Sequence, residues 1–205
     1  MRIFHGDFYE VTDEGEGQPV VSFQSLKREK GLEQRSFFGR KFLLESGFRA
    51  ICVKSARNCW YQLPEFDGAL DAIRGALGEE RPITYGASMG GFAAWFFAHE
   101  LNAQRFIAFS PQFHLDPAQT PFETRWRQHV AFIERNATWR PLPGGRPSGV
   151  VCHDPSFEPD EAHARLIAER TDCTMNNYTG HGHNVLRHFR NAGTLKEEMT
   201  AVLMG

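Results

Sequence analysis

No stretch of this chain is apolar for long enough to cross a bilayer, which takes about 18 residues; none occurs. The opening residues Met1-Arg2-Ile3-Phe4-His5-Gly6-Asp7 lack the apolar segment of a secretory signal, so a cytoplasmic protein is expected. Cysteine is scarce. The 4 in 205 residues are Cys52, Cys59, Cys152 and Cys173, and no two have CxxC spacing. Cys52 and Cys152 fall within apolar runs, so buried free thiols are expected and a disulfide framework is not. An excess of one charge is missing too: Lys plus Arg is 23 and Asp plus Glu is 25. That balance gives no basic patch for nucleic acid. The densest basic stretch, Lys27-Arg28-Glu29-Lys30, is broken by an acid and is expected to be a solvated loop. Repeats, low-complexity tracts and linker-like segments are absent as well, so a single domain is expected.

Aromatics are plentiful, with 18 Phe and 4 Trp. Such side chains bury large areas, and a chain of this length can form a sizeable core around a sheet. Short apolar runs alternate with helical patterns, the signature of a parallel sheet with crossover helices. Strands are expected at 19–23, 48–53, 82–85, 105–109, 149–153 and about 173–178. Helices are expected at 37–46, 64–77, 89–102, 126–134 and 161–170, and from 185 onward with a break near Gly193. Residues 111–147 interrupt this alternation with six prolines, Pro111, Pro117, Pro121, Pro141, Pro143 and Pro147. A connection this long in a compact fold is expected to be functional or a small cap-like insertion.

Chemistry concentrates at Gly86-Ala87-Ser88-Met89-Gly90, which matches G-x-S-x-G. An expected strand ends just before it and a helix with apolar residues nearly all round begins just after. A strand-turn-helix of this kind exposes a serine on a strained turn and aims helix N–H groups at developing negative charge. No Gly-Lys-Ser/Thr follows, which removes the phosphate-loop reading; a plain glycine-rich packing turn stays open. A serine hydroxyl is a weak nucleophile until a base takes its proton and an acid orients that base.

The segment Gly86-Ala87-Ser88-Met89-Gly90-Gly91-Phe92-Ala93-Ala94 resembles the nucleophile elbow of the α/β-hydrolase superfamily. Gly182-His183-Asn184-Val185 resembles that family's terminal histidine loop. The resemblance spans residues 19–203 through the order of elements. It implies a three-layer α/β sandwich with a mostly parallel sheet, formed by residues 1–205 as one domain with a small insertion at 111–147.

It also implies a triad in the chain order Ser, Asp or Glu, His. Ser88 is then the nucleophile, Asp154 the acid and His183 the base; Glu158 or Asp160 remain alternatives for the acid, and His181 for the base. Asp160 has the competing role of capping the following helix. The oxyanion hole implied by the likeness uses the backbone N–H of Met89 and a second one from Ser25 or Leu26, where this chain lacks the family's common His-Gly.

Trp60 and Tyr61, after the second expected strand, are candidates for the substrate wall or for edge packing. Arg125-Trp126-Arg127 suits either an acidic substrate group or a solvated helix face. His181, His183 and His188 fit no zinc spacing, so no metal is expected, and no cofactor.

The implied activity is that of a serine esterase acting on a small-molecule or glycan acyl substrate through an acyl-enzyme. An acyltransferase or glycan deacetylase with the same triad remains open, as does a non-catalytic binding module on the same fold. Neither nucleic acid nor a membrane is expected as a partner, and the oligomeric state stays open.

Overall fold

The computed structural model describes residues 1–29 and 31–205, so Lys30 of the basic stretch lies outside the described residues. One eight-stranded sheet organises the chain, in the order β1-β2-β4-β3-β5-β6-β7-β8. The strands are β1 (Arg2–His5), β2 (Tyr9–Glu14), β3 (Pro19–Phe23), β4 (Arg49–Ser55), β5 (Ile83–Ala87), β6 (Arg105–Phe109), β7 (Ser148–His153) and β8 (Asp172–Asn177). From β4 to β8 every neighbouring pair is parallel, whereas β1–β2 and β2–β4 are antiparallel. The parallel strands therefore present their carboxyl ends at one edge, where open α/β sheets bind ligands.

Two hydrophobic clusters flank the sheet, and successive strand residues alternate between them as the pleat requires. Val21, Ile51 and Val53 belong to one cluster; Val20, Ala50 and Cys52 belong to the other. Burial on both faces is why these strands read as continuous apolar runs. The first cluster receives α2 (Phe66–Leu77), α3 (Met89–Phe96) and parts of α4 (Arg127–Asn136) and α5 (Glu158–Arg170). The second receives α1 (Arg40–Glu45), α6 (Val185–Ala192) and α7 (Leu195–Met204).

The α2 register shows the cause locally: Phe66, Ala69, Leu70, Ile73 and Leu77 are buried, a spacing that draws one apolar stripe down a helix. No helix among the described residues is long and apolar enough to cross a membrane. The four cysteines are free, three of them buried.

Two strands were not anticipated. In β2 the apolar alternation Tyr9, Val11 is interleaved with Glu10 and Thr12, which are also buried. Glu10 is tolerated there because the Lys54 ammonium lies 3.2 Å from it. Helix α3 is shorter than expected, ending at Phe96. Helix α5 begins three residues earlier than expected, with Pro159 in its first turn, where a missing N–H costs nothing.

Candidate active site

Ser88 follows β5 directly, at φ 52° and ψ −120°, a region that a residue with a side chain enters at a cost of order 1–3 kcal/mol. The surroundings hold it there. Its amide donates to the Phe109 carbonyl of β6 at 2.8 Å, and its carbonyl accepts from Phe92 to start α3. Glycine is obligatory on both sides. A Cβ on Gly86 would lie 2.2 Å from the Gly90 carbonyl oxygen, and one on Gly90 would lie 2.2 Å from that of Phe23. The missing side chain of Gly90 therefore lets the end of β3 abut the turn.

The Ser88 Oγ is 2.9 Å from Nε2 of His183, in the loop between β8 and α6. On the other side of the imidazole, Nδ1 is 2.7 Å and 3.0 Å from the two carboxylate oxygens of Asp160. A carboxylate only accepts, so Nδ1 carries the proton and the lone pair of Nε2 faces the serine hydroxyl. Asp160 is fully buried in the first turn of α5. Its Oδ1 also accepts from Nη1 of Arg125 at 2.8 Å.

Arg125 is in turn gripped by Glu123. Glu123 accepts from Nε2 of His163 at 2.9 Å, and Nδ1 of His163 accepts the Phe113 amide at 3.1 Å. Both ring nitrogens of His163 are thereby assigned to a neutral tautomer; burial first of all holds its pKa below the ordinary value, Glu123 opposing. Burial also lowers the Arg125 pKa, but Glu123 and Asp160 outweigh it and raise the net value.

Asp154 does not occupy the place expected for it. Its Oδ2 accepts the backbone N–H groups of His181 and Gly182, each at 2.6 Å. Its Oδ1 accepts the amide and the hydroxyl of Ser156, at 2.8 and 2.6 Å. All four donors belong to loops, so the carboxylate shapes the histidine loop and has no oxygen left for the imidazole. Burial raises its pKa, yet these hydrogen bonds outweigh burial and hold it at about 2. The earlier start of α5 brings Asp160 to the ring instead. Two sequence signals carried this: Asp154-Pro155-Ser156 is a turn in which Asp bonds its own chain two residues on, and Pro159 marks a first helical turn. Glu158 is exposed. His181 stacks on His188 with ring centroids 3.6 Å apart, and the ring that meets the Ser88 hydroxyl is that of His183.

Trp60 and Tyr61 are fully buried, so neither walls a pocket. The Trp60 indole donates to the Gln112 side chain, and the Tyr61 hydroxyl donates to the Gln24 carbonyl. Gln24 is itself buried and pinned by the backbone of Val53, Ser36 and Ser55. Tyr61 therefore braces the loop that carries Ser25 and Leu26, while Trp60 backs Trp126 with ring centroids 5.6 Å apart.

A cavity of 570 Å³ opens over the serine, lined among others by Ser25, Leu26, Lys27, Ser88, Trp126 and His183. The ring of Trp126 lies 5.9 Å from that of His183. Trp126 and Ser110 both line the cavity; the indole N–H of the one and the hydroxyl of the other are buried and have no hydrogen-bond partner among the described residues. Met89 opens α3, so its N–H has no intrahelical acceptor. Arg125, expected at a substrate group or a solvated face, is engaged with Asp160 and Glu123 instead; neither it nor Arg127 lines this cavity.

Neither a protein-family model nor a curated protein matches the chain by sequence. Solved structures do match in shape. The capsule O-acetyltransferase of Neisseria meningitidis serogroup A superposes with a TM-score of 0.64 at 14% identity, covering 98% of this chain and 94% of that one. A thermophilic esterase from the planctomycete Thermogutta terrifontis, with butyrate bound, gives 0.62 at 16% identity over 94% and 88%. An α/β hydrolase from the sediment metagenome of the Mar Chica lagoon, Morocco, gives 0.57 at 18% identity over 98% of both. At such identities the likeness is one of fold, and the fold of this chain is that of the α/β hydrolases.

Proposed function

We propose that the protein is a serine-dependent acyl-bond enzyme that cleaves an ester through an acyl-enzyme on Ser88. The observation that carries this is the unbroken relay from the Ser88 hydroxyl through His183 to buried Asp160, built on a strained turn at the carboxyl edge of the sheet. In this reading His183 Nε2 takes the hydroxyl proton as Oγ bonds the acyl carbon. The imidazolium is stabilised by Asp160 and returns the proton to the departing alkoxide as the carbon–oxygen bond breaks. Water then repeats the sequence in reverse and releases the acid.

The carbonyl oxygen becomes negative in between. The Met89 N–H and a second N–H from Ser25 or Leu26 are assigned to it, each such donor contributing about 10²–10³ in rate. The 111–147 connection acts as a small cap, placing Trp126 beside the imidazole. The buried free thiols suit a reducing cytoplasm.

Transfer to an acceptor hydroxyl, a sugar included, uses the same acyl-enzyme. The shape shared with a capsule O-acetyltransferase speaks for that second reading. A fluorophosphonate probe tests the serine: labelling of the wild-type chain at Ser88, lost in Ser88→Ala together with turnover of an ester panel, is the expected result. Undiminished turnover in folded Ser88→Ala refutes the proposal. Product analysis with a polyol added separates acyl transfer from hydrolysis.

A further inference from the structure

The chain as a whole is slightly acidic, with a net charge of −2, but the cavity over Ser88 is not. Among the described residues its lining holds Lys27, Arg187 and Arg190 and no carboxylate. Arginines elsewhere, such as Arg49, Arg57, Arg74 and Arg146, sit in ion pairs. Among the described residues, neither Lys27, Arg187 nor Arg190 meets a carboxylate; the one polar partner is the Ser36 hydroxyl, 3.1 Å from the Lys27 ammonium.

Two separate elements supply the charges. Lys27 comes from the loop after β3, next to the residues assigned to the oxyanion. Arg187 and Arg190 are three apart on α6, a spacing that puts them on one side of the helix. The opposite stripe, Val185 and Phe189, is buried in the core. Since α6 starts two residues after His183, the helix that carries the two arginines is tied to the loop that holds the base.

The positive lining continues outward. An adjoining cavity of 640 Å³ shares Lys27, Phe38, Leu186 and Arg190 with the first and adds Lys196. Its one acid, Glu45, lies 3.7 Å from the Lys41 ammonium, so it is already answered. Partial burial, together with the like charges of Arg35 and Arg190, pushes the Lys27 pKa down. Such cations repel one another while the cavity is empty of countercharge and are relieved when an anion enters. Walls of low dielectric also concentrate their field at the cavity and draw anions toward it.

We propose that the substrate of this site carries an anionic group, a phosphate, sulfonate or carboxylate, that seats against Lys27, Arg187 and Arg190 while its acyl carbon lies at Ser88. The inference rests on the acyl-enzyme reading above and narrows its substrate class. The anion belongs either to the acyl part or to the leaving alcohol.

Two ester pairs separate these sources. Para-nitrophenyl butanoate against its omega-sulfo derivative places the charge on the acyl part; phenyl acetate against para-sulfophenyl acetate places it on the leaving alcohol. The readout is the ratio of kcat/KM, charged over neutral, which cancels losses common to both members. In the combined variant Lys27→Gln, Arg187→Gln, Arg190→Gln that ratio is expected to fall about tenfold for one pair, as the loss of three exposed ion pairs together implies. In the wild-type protein the same ratio is expected to fall as salt is raised from about 0.05 to about 0.5 M, because screening shortens the field. The salt series needs no variant and so stands even if the triple replacement does not fold. A ratio unchanged by salt and by the replacements for both pairs, with Ser88-dependent turnover intact, overturns the anionic-substrate inference alone. Absence of any Ser88-dependent turnover or probe labelling overturns the acyl-enzyme reading and this inference with it.

Discussion

Exchanging one carboxylate for its amide at two neighbouring positions separates the two acids sharply. In Asp160→Asn the guanidinium of Arg125, which only donates, holds the amide oxygen where Oδ1 now sits, 2.8 Å from Nη1. The amide NH₂ then takes the place of Oδ2, the oxygen 2.7 Å from Nδ1 of His183. That donor is nearer to Nδ1 than the amide oxygen, which sits 3.0 Å away, so the pair favours the tautomer in which Nδ1 accepts. The ring proton moves to Nε2 and points at the Ser88 hydroxyl, and the base is lost. The expected fall in kcat/KM is about 10³–10⁴-fold, the size of effect a wrong tautomer produces in such triads.

In Asp154→Asn each of the two former oxygens had two donors, so the amide satisfies one pair and opposes the other. That leaves buried N–H or O–H groups unanswered, at about 1–3 kcal/mol. A chain of this length should melt lower by about 2–4 °C per kcal/mol. The loop that carries His183 loosens, yet its ring keeps Asp160, so the rate should fall by less than about a hundredfold. The assay is steady-state ester hydrolysis with melting followed by circular dichroism. If folded Asp154→Asn loses as much rate as Asp160→Asn, the assignment of the acid is refuted.

Three further outcomes follow from the same geometry. His183→Ala should cost far more activity than His181→Ala, since His181 is stacked on His188; comparable losses in an ester assay would reverse the roles. Gly90→Ala sets a methyl 2.2 Å from the Phe23 carbonyl oxygen, so displacement of the β3 loop should appear as a lower melting temperature and a lower kcat, and wild-type values for both would contradict the packing described. For acid stability the sign runs one way: Asp154 has its pKa depressed to about 2 when folded, against about 3.9 in an unfolded chain. Its contribution is thus complete above about pH 4 and is lost as pH falls toward 2, amounting to roughly 2 kcal/mol by linkage. A melting series from pH 7 to 3 should show a smaller acid loss in Asp154→Asn than in the wild type, and equal losses would be the contrary result.

The central strands were legible because burial on both faces fills them mostly with apolar residues, as at Val20-Val21 and Phe106-Ile107-Ala108-Phe109. Ser88 was legible because the turn needs glycine at 86 and 90, and His183 through its likeness to a known loop. What escaped lies where polar atoms are spent on other protein atoms. β2 hides a buried Glu10 whose cation arrives from β4, and a single strand's pattern does not show its neighbour. Asp154 and Asp160 are six residues apart, and which one meets the ring depends on where α5 starts, a matter of one helical turn. Trp60 and Tyr61 follow a strand at the correct edge, but their backbones at φ 46° and 57° belong to a turn that buries both rings beneath the surface.

The clasp of Glu123 and Arg125 on His163 and Asp160 has a bearing on how this chain can be altered by descent or by design. A connection between strands is ordinarily the part that drifts in length and is swapped to retune a substrate pocket. Here residues 111–147 carry the cation that steadies the buried Asp160, so a graft that replaces them wholesale would leave that carboxylate an uncompensated charge. Variation at this segment is tied to α5, and a functional chimera would have to bring both pieces from the same parent.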